Sequence, residues 1–139
     1  MSHPSFPAGH AVAAGACVTV LKAFFRTHDS NLQPLKWPLP PIHSISGESL
    51  ESYGETDTKD MTICGELNKL ASNVSLGRNF AGVHYRDDSD GGMRLGEQIG
   101  VLYLQTKLRE YSSNRSGTIP HFNLQRFDGS HTTITACGS

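Results

Sequence analysis

From Gly9 to Arg26 the chain carries no proline, and Ala14, Cys17, Val18, Leu21, Phe24 and Phe25 recur at intervals of three and four. That period predicts a helix with one apolar stripe. Ala11, Ala13, Gly15 and Ala16 leave its surface low enough for another helix to approach closely. Any fold for this chain must bury that stripe against further helices. Directly before it stands Ser2-His3-Pro4-Ser5-Phe6-Pro7-Ala8-Gly9-His10, so a glycine and a histidine sit where unpaired backbone N–H groups and the positive end of the helix dipole point outward. Such a helix start is suited to an oxyanion.

Two more helices follow from the same period. One is expected from about Asp60 to Phe80, capped by Thr58 or Asp60, with Met61, Ile63, Leu67, Leu70, Val74 and Leu76 inward and Gly82 marking its end. After a turn at 87–92, the other is expected from about Gly92 to Tyr111, with Leu95, Ile99, Leu102, Tyr103, Leu108 and Tyr111 inward. Between the first two helices, Thr27 to Thr58 is rich in proline, glycine and serine and supports neither a helix nor a paired strand. We read it as an irregular cover packed through Trp37 and Leu39. The tail changes period: alternation over 121–127 and 130–136 around Asp128-Gly129 predicts a β-hairpin spanning 121–136. The expectation is a mainly α, single domain over 1–139, a partial helical bundle closed by a C-terminal β-hairpin.

Composition excludes several functions. With a formal net charge of −1 and dispersed basic residues, nothing draws the chain to nucleic acid. No apolar run reaches the roughly 18 residues that span a bilayer, and no basic segment precedes an apolar core as in a signal peptide. Cys17, Cys64 and Cys137 are far apart and form no metal-binding pair. Cys17 and Cys64 are expected as small buried side chains inside helices, with a disulfide between them left open.

The chemistry lies in His10, Arg78, His84 and Asp88. An arginine offers a planar fork to an oxyanion, and Gly9 lets a backbone N–H come close to one. A histidine beside the anion can act as nucleophile, ligand or proton carrier. Asp88, four residues after His84, could fix the imidazole tautomer or cap the third helix, and the two roles are compatible. The remaining histidines show no ligand spacing, and the acidic run 87–92 does not match a calcium loop.

Pro7-Ala8-Gly9-His10 followed by Arg78-x5-His84-x3-Asp88 resembles the second and third signature motifs of the vanadium-dependent haloperoxidases and the related acid phosphatases. The stretches 3–11, 18–24, 65–71 and 82–86 are similar to the bromoperoxidase branch of red algae and cyanobacteria. The resemblance implies the helical bundle of that superfamily and a vanadate cofactor, with His84 as the metal ligand. It further implies that Arg78 and the Gly9 N–H hold equatorial oxygens, that His10 acts as acid–base, and that His3 lines the halide pocket. The implied reaction oxidises bromide with hydrogen peroxide to hypohalous acid, which halogenates a small organic acceptor; a homo-oligomer is implied for the full-length form.

Two departures qualify this. Ala8 stands where the family commonly has serine, and no lysine here is followed by the family's Lys-x6-Arg-Pro pattern. Charge-assisted hydrogen bonds contribute roughly 1.5 to 3 kcal/mol each, so lacking a lysine and an arginine amounts to about 3 to 6 kcal/mol, or roughly two to four decades of affinity. The chain opens inside its own motif and reads as the C-terminal catalytic portion of a longer protein, a weak enzyme by itself with apolar stripes exposed. The alternatives are a phosphomonoesterase, with His84 as nucleophile and His10 as acid, and a non-catalytic truncated fragment.

Overall fold

A computed structural model describes residues 5–29, 31–54, 56–113 and 121–136, with Asp57 described in its backbone only. Its order is α1 (Gly9–Phe24), β1 (Ile42–His43), β2 (Leu50–Glu51), a single 3-10 turn (Thr56–Thr58), α2 (Ile63–Phe80), α3 (Arg86–Ser113), β3 (Phe122–Gln125) and β4 (His131–Ile134). The molecule is a three-helix arrangement with a terminal hairpin, as the periodicity predicts. Helix α1 lies chiefly on α3, α2 packs against α1, and the β3–β4 hairpin covers one end of the α1–α3 pair.

The helix faces differ from the expected ones. On α1 the buried residues are Ala11, Ala14, Gly15, Val18, Thr19 and Lys22, whereas Cys17 is exposed and Phe24 is 79% exposed. On α2 they are Cys64, Leu67, Ala71 and Ser75, while Leu70, Val74 and Leu76 face outward. On α3 the buried set includes Gly92, Gly96, Gly100, Val101, Leu104 and Leu108, leaving Leu95, Ile99, Leu102, Tyr103 and Tyr111 exposed. The reason is close approach. A Cβ on Gly92 would stand 2.9 Å from the Ala8 carbonyl oxygen, one on Gly96 would collide with the Val12 carbonyl, and one on Gly100 would meet Thr19 at 2.8 Å. Helices this near bury whatever lies on the low face, whether large or small. Cys17 and Cys64 are both free thiols, so the disulfide left open by the sequence is not formed.

Element limits follow from local chemistry. Helix α1 ends at Phe24, two residues short of the expected Arg26, because Phe25 turns extended while its N–H still reaches the Leu21 carbonyl at 2.8 Å. Helix α2 starts later than expected: its cap is Thr62, whose hydroxyl accepts from the Gly65 N–H at 3.0 Å. Its end is a Schellman motif, with the Gly82 N–H on the Asn79 carbonyl (2.9 Å), the Val83 N–H on the Arg78 carbonyl (3.2 Å) and Gly82 at φ 70°. Helix α3 starts at Arg86, so the stretch 87–92 is helical rather than a turn. Asp87 and Asp88 favour the positive end of a helix, and Asp88 Oδ2 accepts from the Tyr85 N–H at 2.9 Å, the acidic half of a capping box.

The connection 27–58 holds more order than its composition suggests. Asp29 Oδ1 accepts from the Asn31 and Gln33 N–H groups, each at 2.8 Å, and Trp37 and Ile63 donate to Met61 and Leu35 across the start of α2. Strands β1 and β2 then pair antiparallel, Ile42 opposite Glu51, correcting the expectation of no paired strand. Trp37 and Leu39 are surface-exposed rather than buried anchors. The terminal hairpin pairs Phe122 with Ile134 and Gln125 with His131, turning through Gly129 at φ 87°. Two apolar clusters result, one of Val101, Leu104, Leu108, Leu124, Ile134 and Ala136, the other of Ala14, Val18, Leu67 and Ala71.

Candidate functional site

Three element ends meet at one end of the molecule. Ala8, the residue before α1, is wholly buried, and its N–H donates to the Asp88 carbonyl in the first turn of α3 at 3.0 Å. The Phe6 ring lies over Gly91, where an added Cβ would come within 2.6 Å of it, and the Phe6–Pro7 peptide is cis. The Ala8 hydrogen bond and the Phe6 contact hold the loop carrying Pro7, Ala8, Gly9 and His10 against the helix start that follows His84. Glycines at 91 and 92, which composition suggests as turn residues, are there because the loop passes directly over them.

His84 lies between the Schellman end of α2 and the start of α3. Its Nδ1 is 3.6 Å from Asp88 Oδ2, with 9% and 8% of the two side chains exposed. That separation makes an ion pair when the ring is protonated and is longer than a hydrogen bond. Asp88 therefore serves two neighbours, capping Tyr85 directly and facing the imidazole. Arg78, in the last turn of α2, has its Nε buried without a hydrogen-bond partner among the described residues. A buried guanidinium N–H of that kind is a costly group until an acceptor reaches it.

Helix α1 adds the backbone side of the site. Its N-terminus has no side-chain cap and no acidic residue in its first turn, so neither its cap nor its first turn neutralises the positive end of the dipole. Gly9 faces open space, since an added Cβ would touch nothing within 4 Å, and His10 is exposed beside it. The described residues contain no group of three or more His, Cys, Asp or Glu side chains arranged to hold a cation. The donors at these element ends are a guanidinium, helix N–H groups and imidazoles, chemical types that suit an oxyanion. His3 lies outside the described residues.

One tether escaped the sequence reading. Ser89 Oγ donates to Asn79 Oδ1 at 2.7 Å, joining the end of α2 to the start of α3 across the His84 turn. Asn79 follows Arg78 and Ser89 follows Asp88, and an Asn and a Ser ten positions apart give no periodic signal that would single them out.

The family described as VCPO second helical-bundle domain matches residues 1–113. The chain is 42% identical over 132 residues to a protein named vanadium-dependent bromoperoxidase from Corallina officinalis, covering 95% of this chain and 20% of that one. A protein of the same name from Ascophyllum nodosum is 39% identical over 131 residues, covering 92% of this chain and 21% of its own length. The chain spans about a fifth of the length of the curated relatives it matches.

Proposed function

This chain belongs to the vanadium-dependent haloperoxidase family through its second helical-bundle domain, and from that premise we propose that it carries the histidine half of a bromoperoxidase site. The observation that supports the reading most is the Ala8 N–H bond to the Asp88 carbonyl, which joins the α1 start to the turn bearing His84. The residues fit vanadate as a group. Arg78 brings a buried donor with no partner among the described residues, Gly9 an approachable N–H, and His84 an imidazole backed by Asp88.

Vanadate, when bound, supplies a Lewis-acidic centre that activates hydrogen peroxide toward bromide. The chain's own contribution is positioning and proton handling. Arg78 would hold oxygens of the bound anion, and the α1 dipole would add to that attraction. Asp88 places its carboxylate 3.6 Å from the His84 Nδ1, where it would stabilise the ring when that nitrogen carries a proton. His10, exposed on the first turn of α1, is free to take a proton from an incoming peroxide and return it to a leaving oxygen. Bromide, hydrogen peroxide and a small organic acceptor are the proposed substrates.

The test is a titration of the 139-residue chain with orthovanadate, followed by vanadium-51 NMR and by bromination of monochlorodimedone with peroxide and bromide. With Ala8 in place of serine and no Lys-x6-Arg-Pro motif, saturation is expected about two to four decades weaker than at a site holding both cations. Arg78→Ala and His84→Ala should each abolish the bound signal while leaving helicity intact. Binding unchanged in both variants would overturn the assignment, and hydrolysis of p-nitrophenyl phosphate without bromination would transfer the same residues to a phosphatase.

A further inference from the structure

A polar cavity lined by none of these residues lies on the flank where α3 faces the tip of the β3–β4 hairpin. A cavity of about 340 Å³ opens there between Arg94 and Gln98 of α3 and Arg126 and Phe127 of the hairpin turn. That volume is within the roughly 300–1,000 Å³ of small-molecule sites. The cavity holds three carboxylates and two arginines, and the carboxylates already have partners. Asp90 faces Arg86 at 3.8 Å, Glu97 Oε1 accepts from the Phe127 N–H at 2.7 Å, and Asp128 Oδ1 accepts from the Ser130 N–H and hydroxyl at 2.8 and 2.6 Å.

Neither arginine side chain has a hydrogen-bond or ion-pair partner among the described residues, and Arg126 Nε is buried. Both are nevertheless near enough to Asp128 to help hold its carboxyl below the usual range, after the stronger effect of the Ser130 hydrogen bonds. Two arginines thus line one cleft, where Glu97 and Asp128 each accept hydrogen bonds from within the hairpin. Met93 and Phe127 give it an apolar wall.

We infer that this cleft binds a small organic carboxylate, its oxygens held by Arg94 and Arg126 and its apolar body against Met93 and Phe127. Guanidinium groups match a carboxylate's two oxygens in plane, and the apolar wall favours a ligand with a hydrocarbon body over a bare inorganic anion. The inference uses none of the residues assigned to vanadate and stands or falls separately.

Benzoate is the probe, added to the nitrogen-15-labelled full chain while backbone amides and arginine Nε–H signals are recorded. Saturable shifts are expected at Arg94, Arg126, Phe127 and Gln98. Arg94→Gln and Arg126→Gln should each weaken binding about tenfold or more. Neither side chain makes a hydrogen bond within the described fold, so both variants should keep the parent spectrum elsewhere. Arg78→Ala should bind benzoate as the parent does, and inorganic phosphate at equal concentration should give no saturable change at Arg94 or Arg126. The inference is overturned by absence of saturation, by phosphate shifting Arg94 and Arg126 as tightly as benzoate does, by unchanged affinity in the two glutamine variants, or by loss of binding in Arg78→Ala.

Discussion

The two sides of α3 are built on opposite plans. Its inner side runs through Gly92, Gly96 and Gly100 before it reaches Val101, Leu104 and Leu108, while its outer side displays Leu95, Ile99, Leu102 and Tyr103. Hydrophobicity alone ranks these sides the wrong way round for the first half of the helix. The inner side is stabilised there by backbone-level proximity to α1, where dispersion contacts are dense, and by burial of the alanines opposite. Size decides which side can come close, and hydropathy then decides only how well the remainder packs.

Substituting one residue on each side tests that reading most strongly. Gly96→Ala should cost about 3 kcal/mol, at the upper end of overpacking penalties, because the new methyl meets the backbone of Val12 and Ala16 rather than a side chain that can turn aside. Leu102→Ala, although it removes far more apolar surface, should stay within about 0.5 kcal/mol because that side chain is 62% exposed. Urea unfolding of both variants gives the comparison. Equal losses would mean that the α1–α3 contact is looser than the structure has it.

The same contrast explains what was legible in the sequence. Helix existence came through because Val18, Leu67 and Leu108 keep the 3.6-residue period whichever side wins, and the hairpin came through because Asp128-Gly129 interrupts a period of two. The helix faces did not, since Gly92, Gly96 and Gly100 carry no hydropathy signal and read as punctuation. The α3 start was hidden for a related reason: 87–92 has the composition of a turn, yet its acids cap the helix and its glycines admit Phe6 and Ala8. At the candidate site, Gly9, His10, Arg78, His84 and Asp88 were readable as a motif, and the fold brings the α1 start to the His84–Asp88 turn. The Asn79–Ser89 tether and the Ala8 N–H bond were not readable, because each depends on where two helix ends meet.

The next effect concerns the end of the seam where α1 meets the hairpin. Lys22 is buried there, its Nζ donating to the Gln125 carbonyl at 2.9 Å and standing 4.2 Å from the centre of the Phe127 ring. Burial lowers its pKa, opposed by the nearby Cys64 and Glu97. Lys22→Ala should cost about 2 to 3 kcal/mol through the void and the unmade bond. Lys22→Met, which keeps the volume and removes a buried charge, should recover all but about 1 kcal/mol. A methionine variant as unstable as the alanine one would assign the seam's polar end a larger share than its packing.

The smallest effect sharpens the comparison at the hairpin's outer rim. His28 follows α1, is buried, shares a 3.0 Å hydrogen bond with the Thr27 hydroxyl and meets the His131 ring edge-on at 5.0 Å. Burial lowers its pKa below 6.5, with His131 and Lys22 adding to the shift and Asp29 opposing it. The unfolded chain therefore binds this proton more readily than the folded one. Stability from His28 is present in full above pH 6.5 and is lost as pH falls through the lowered folded pKa. Thermal melts between pH 7.5 and pH 5 should show Tm declining on acidification, and His28→Asn should flatten that decline without changing Tm at pH 7.5 by as much as Gly96→Ala does. An unchanged slope would show that the imidazole charges in place, and that the rim yields to a cation where the glycine seam yields to nothing.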